Sequence, residues 1–135
     1  MYLLDTNIVS ELRKPRPQAA VTSWLESVDD SDLHISVVTL GEIQAGIEIT
    51  REQDAAKASE IESWADQVAA AYNVLPMDAA TFRLWAKLMH RQSDTVHENA
   101  MIAATALVRK LTVVTRNVAD FKASGVLLLN PWLAS

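Results

Sequence analysis

Four polar clusters stand beside short apolar runs in this chain. Asp5-Thr6-Asn7 follows Tyr2-Leu3-Leu4, and Thr39-Leu40-Gly41-Glu42 follows Ile35 to Val38. Asn99 precedes Met101-Ile102-Ala103-Ala104-Thr105-Ala106, and Thr115-Arg116-Asn117 follows Thr112-Val113-Val114. If the first, second and last runs are parallel strands, their polar residues emerge together at the carboxyl edge of one sheet, where open α/β folds place their sites. Carboxylates gathered there repel one another unless a cation or a proton lies between them. The chemistry this points to is a divalent-metal site built from scattered segments, and hence an enzyme.

Each residue also has a plainer reading. Asp5 is a good N-cap for the helix after it. An Asp-x-Asp phosphotransferase would need a second acid at position 7, where Asn7 stands. Thr39-Leu40-Gly41-Glu42 fits a capping box, in which Glu42 reaches back to the helix's first amide; a first-turn Glu past a strand end can equally approach Asp5. Asn99 continues the face of the Ala-rich helix turned to the sheet and offers a neutral carbonyl oxygen, a weaker ligand for a hard cation than Asp. Thr115 and Asn117 offer a hydroxyl and a carbonyl near a metal or its water. Asp120 is read as a turn residue in preference to an acid. His97 and Glu98 are read as solvated, and His97 has no spaced partner for zinc. His34 is read as structural. Two basic groups, Arg13-Lys14-Arg16 and Arg83-Lys87-His90-Arg91, are read as solvated surface before phosphate contacts.

The elements that must position these residues follow from periodicity. Met1–Leu4 reads as a buried strand, apolar without alternation, and a short helix over 6–12 is stopped by Pro15 and Pro17. Val21, Trp24, Leu25 and Val28 mark a second helix. Leu33–Val38 is the second strand, and Thr39 opens a helix with Leu40, Ile43 and Ile47 on one face. A long helix over 52–72 carries Ile61, Trp64, Ala65, Val68 and Tyr72. Val74–Met77 is a third strand, placed at an edge by Pro76. Asp78 caps a helix bearing Phe82, Trp85, Ala86 and Met89, and Ser93-Asp94-Thr95 breaks the chain before a helix that runs to Lys110. Thr112–Thr115 and Val126–Leu129 are the last strands. Strands alternating with helices predict an α/β fold, a three-layer α/β/α sandwich around a mostly parallel central sheet.

With 135 residues, half of them apolar, the chain is read as one domain over 1–135 with a real core. It has no cysteine, which leaves no disulfide and no thiolate zinc site and fits a reducing cytoplasm. No apolar run approaches the ~20 residues that cross a membrane. A net charge of −5 argues against a nucleic-acid coat protein, but not against an enzyme that acts on nucleic acid with a local basic rim.

With these residues in place, the chain resembles the PIN-domain ribonucleases, and among them the VapC-type toxins of bacterial toxin–antitoxin pairs. The matching segments are Leu3-Leu4-Asp5-Thr6-Asn7, Ile35 to Glu42, Ile102 to Ala106, Val114-Thr115-Arg116-Asn117 with Asp120-Phe121, and Leu129-Asn130-Pro131-Trp132. Each piece is short, but their joint order and spacing over nearly the whole chain are specific. The resemblance implies Mg²⁺- or Mn²⁺-dependent hydrolysis of RNA, structured RNA such as tRNA among the substrates. It makes Asp5 and Glu42 the first two metal-site acids, with Thr115 and Asn117 orienting metal-bound water. The third acid of the family falls on Asn99, and a fourth, variable one on Asn117. Asn99 is thus the important departure: with the other motifs intact, it reads as an engineered disabling change rather than a natural weakening. The resemblance further implies a cognate antitoxin and a homodimer or toxin–antitoxin hetero-oligomer, with Trp24, Trp64, Trp85 and Trp132 at interfaces or in the core. Two rivals stand beside it. One is a PIN-like module that only binds protein, with Asn99 its natural residue. The other is a phosphoacceptor receiver domain, which wants paired acids at the first strand and a Lys near the last, and finds neither.

Overall fold

The computed structural model describes residues 1–90, 92 and 97–133. Five short strands, β1 (Tyr2–Leu4), β2 (Leu33–Ser36), β3 (Asn73–Leu75), β4 (Thr112–Val114) and β5 (Leu128–Leu129), form one sheet in the order β3-β2-β1-β4-β5. Every pairing is parallel, with Leu4 in register with both Ile35 and Val114. The first strand of the chain is therefore the central one, and its near-unbroken apolar run is what burial on both faces demands.

Successive side chains of a strand point to opposite faces, so Leu3 and Leu4 serve two different cores. Leu3 and Val113 pack with Ile102, Ala103 and Ala106 of helix α6 (His97–Arg109), with Leu88 of α5 (Ala79–Met89) and with Phe121. Leu4, Ile35 and Val114 pack with Ile8 and Val9 of α1 (Thr6–Leu12), Val21 of α2 (Ala19–Glu26) and Val68 of α4 (Ala55–Ala71). The three layers expected from the sequence are present. A smaller apolar cluster of Ile47, Ala58 and Ala65 joins α3 (Val37–Arg51) to α4. Each fully buried Leu, Ile or Val contributes about 1.5–3 kcal/mol, so this pair of cores, rather than three-residue strands, holds the sheet edge in place.

Several boundaries differ from the sequence expectation. β2 stops at Ser36, whose hydroxyl accepts the Val38 N–H at 3.0 Å and caps α3, so that the helix begins at Val37, two residues before the predicted Thr39. Asp54 caps α4 and Asp78 caps α5 through the amides of Lys57 and Thr81. β3 is an edge strand, but Pro76 lies just beyond it. The turn around Asp120 is a 3-10 helix over Val118–Ser124. Helix α5 ends at Met89, so His90 falls outside the helical face predicted for it. The Ser93-Asp94-Thr95 break and Arg91 lie outside the described residues.

Candidate active site

Asp5 follows directly on β1. Its N–H donates to the Val114 carbonyl at 2.9 Å, extending the β1–β4 ladder by one step and setting its side chain at the sheet's carboxyl edge. The carboxylate is almost wholly engaged: Oδ1 accepts the Thr6 N–H at 2.8 Å, while Oδ2 accepts the Thr115 hydroxyl at 2.8 Å and the Asn7 amide at 3.1 Å. The N-cap and the cluster member are thus the same side chain, and the two readings of Asp5 do not compete. Asp5 is only 6% exposed. Burial pushes its carboxyl pKa up, the Thr115 and Thr6 hydrogen bonds pull it partly back, and the charge of Asp120 pushes it further up.

Glu42 comes from α3, and the capping-box reading of it is corrected. Because Ser36 is the cap, Thr39 lies inside the helix and Glu42 beyond its first turn. Thr39 is instead fully buried, with its hydroxyl 3.0 Å from that of Thr6. The Thr6 hydroxyl donates to Glu42 Oε1 at 2.9 Å. One threonine next to Asp5 therefore anchors the second acid and ties α1 to α3. Burial raises the Glu42 pKa, the Thr6 bond offsets part of this, and repulsion from Asp5 and Glu98 adds to it. Each of the two carboxyls is thus a group that favours a proton or a cation beside it.

Asn99 sits half-buried in the first turn of α6. It lines a cleft with Leu88, Asp120, Phe121 and Ser124, and among the described residues no hydrogen bond joins it to Asp5 or Glu42. Asn117 is exposed; its N–H donates to the Thr115 hydroxyl at 3.0 Å and its carbonyl accepts the Asp120 N–H at 3.0 Å. Asp120 is a turn residue, as read, yet its charge is felt at Asp5. Glu98 is exposed, as read, yet its charge is felt at Glu42. These two acids, together with Thr6 and Thr39, are what sequence reasoning passed over; the one signal available was the placing of Asp120 three residues after Asn117. His34 contacts the Tyr2 carbonyl through Nδ1 at 3.3 Å, a structural contact, and His97 lies beside the Trp85 ring.

Among the described residues no three of Asp, Glu, His and Cys converge as a metal cage. Asn99 is neutral, and Asp120 and Glu98 act on Asp5 and Glu42 as charges rather than by contact. Asp5 and Glu42 alone still match what a hard cation such as Mg²⁺ takes, one or two carboxylates with water filling the remaining positions. No Lys or Arg neutralises either one by an ion pair among the described residues. The pair of carboxylates is a donor set that fits a divalent cation.

The PIN domain profile matches residues 2–124. The chain is 30% identical to toxin FitB of Neisseria gonorrhoeae over 98% of its own length and 99% of that protein's. It is 34% identical to the VapC ribonuclease Y4jK of Sinorhizobium fredii over 98% of each. Among solved structures, FitAcB from Neisseria gonorrhoeae superposes with a TM-score of 0.85 at 30% identity, covering 98% of this chain and 99% of that one. The carboxyl-edge acids, the all-parallel five-stranded sheet and these matches agree: the chain belongs to the PIN-domain family.

Proposed function

We propose that this chain is a metal-dependent endoribonuclease, the toxin of a toxin–antitoxin pair, disabled or nearly so by Asn99. The observation that carries the reading is the pair Asp5 and Glu42, brought from separate elements to one sheet edge and joined there through Thr6. Relatives named as a toxin and as a VapC ribonuclease, matched from end to end, support it. The cytoplasm, where RNA is met, is the compartment this reading takes, and among the described residues no helix is long and apolar enough to cross a membrane.

A Mg²⁺ or Mn²⁺ ion held by Asp5 and Glu42 would supply Lewis acidity toward the phosphate and a water of lowered pKa. The protein's own share is positional. Thr115 and Asn7 orient the Asp5 carboxylate, and Thr6 orients that of Glu42. Asn117 donates its N–H to the Thr115 hydroxyl and so helps hold the residue that orients Asp5, while its exposed side chain is free to orient metal-bound water. At position 99 an amide oxygen replaces a full charge, which weakens the hold on a hard cation. The antitoxin, and assembly as a homodimer or hetero-oligomer, belong to the same reading; FitAcB from Neisseria gonorrhoeae is a relative's structure that supports it.

The test compares the chain with its Asn99→Asp revertant on total cellular RNA, with Mg²⁺, with Mn²⁺ and with chelator. Discrete cleavage by the revertant, on the order of 10²-fold or more above the parent and abolished by chelator, is expected. A folded revertant that cleaves nothing would favour the second reading, a PIN-fold module that acts only by binding protein, for which the incomplete acid set of this chain speaks.

A further inference from the structure

An acidic centre repels the RNA it must cut, and this chain carries a net charge of −5. Something beside Asp5 has to hold a phosphate against that repulsion. Three cations are committed to acids elsewhere. Lys14 is held by Glu11 at 2.8 Å, Arg51 by Glu48 and Glu62 at 3.0 Å each, and Arg109 faces Asp78 at 3.9 Å.

Arg116 differs. It directly follows Thr115, whose hydroxyl holds Asp5, and its own N–H donates to Asn7 Oδ1 at 3.3 Å. Its carbonyl accepts the Asn130 amide at 3.3 Å. The same Asn130 accepts the Trp132 N–H at 2.9 Å, and the guanidinium carbon of Arg116 lies 5.2 Å from the centroid of the Trp132 ring. One asparagine thus clamps both members of a cation–π pair. The side chain is supported by a ring face and a doubly bonded backbone, yet Arg116 is exposed and, among the described residues, makes no ion pair. Glu11, which feels its charge, is already occupied by Lys14 and the Gln18 N–H. A pre-oriented guanidinium with in-plane donors unused is suited to phosphate.

Resting on the ribonuclease reading, we infer that Arg116, braced by Trp132, seats a backbone phosphate of RNA at the sheet edge that carries Asp5. Arg116 is a positioning residue, distinct from the acids.

The test is equilibrium binding of a fluorescent single-stranded RNA of roughly 12 nucleotides, in chelator so that nothing is cut, across a range of salt. Arg116→Ala is expected to weaken binding roughly tenfold and to lower the slope of log affinity against log salt by about 0.7, the signature of one lost phosphate contact. Arg116→Lys should keep the slope while recovering only part of the affinity, and Trp132→Leu should weaken binding at unchanged slope. A purely structural role would leave the slope unmoved. If the parent binds RNA and Arg116→Ala binds it equally with the same slope, this inference fails while the ribonuclease reading stands. If the parent binds no RNA and the Asn99→Asp form cuts none, both fail. Unchanged RNA binding with lost binding of a poly-glutamate peptide would assign Arg116 to an acidic protein ligand and overturn the inference.

Discussion

Thr115 carries no charge, yet three groups meet its hydroxyl: the Asp5 carboxylate, the Asn7 amide and the Asn117 N–H. Thr115→Val keeps the shape and removes all three contacts, leaving a buried carboxylate oxygen with one donor fewer. A loss of about 1–3 kcal/mol in urea unfolding is expected. In the Asn99→Asp background, cleavage should also drop by roughly 10²-fold, because the acid that is left is misoriented; unchanged cleavage rates would deny Thr115 this orienting role. At this scale the sequence was readable where a residue's place was enough. Asp5 and Thr115 each follow an apolar run that could only be a buried strand. It was not readable for Asp120, since an Asp in a turn looks the same whether its charge faces solvent or a carboxylate more than a hundred residues earlier.

Helix α6 shows what an element contributes. Ala103, Ala104 and Ala106 are all buried, and the small side chains let the helix lie close on Leu3 and Val113. The same approach carries Asn99, one turn earlier, to the cleft it shares with Asp120. Ala106→Leu should cost about 1–3 kcal/mol by overpacking, read as a lower denaturation midpoint. In the Asn99→Asp background it should also weaken Mg²⁺ binding, since position 99 rides on that helix. Helix faces were legible in the sequence because a 3.6-residue period repeats over several turns. Element ends were not. Val37 and Val38 extend an apolar, β-branched run, which favours a strand, but the Ser36 cap and the packing of α3 override that local preference, and with them goes the capping-box account of Glu42.

For the whole molecule, the two raised carboxyls link folding to pH and, on the proposed reading, to metal. The fold raises the Glu42 pKa above its ordinary 4.5. A raised pKa means that the protonated form is the better tolerated one. The stability it contributes is present in full below the ordinary value and is lost as pH rises through the folded one. Glu42→Gln removes the charge and can keep its oxygen on the Thr6 hydroxyl. Without metal it should therefore melt above the parent at pH 7, with the difference closing as pH falls below about 4.5. Adding Mg²⁺ should raise the melting temperature of the parent more than that of the variant. A variant that gains as much from Mg²⁺ as the parent would remove Glu42 from the metal site.

The central strand is completed by residues far from it in the chain. Asp5 at its end takes a hydrogen bond from the Thr115 hydroxyl and hands its own amide to the Val114 carbonyl, partners more than a hundred residues along the chain. Contacts so distant in sequence close late in folding. The edge that carries Asp5 is therefore complete only once β4 has docked on β1, and a chain still folding presents the acid without its partners.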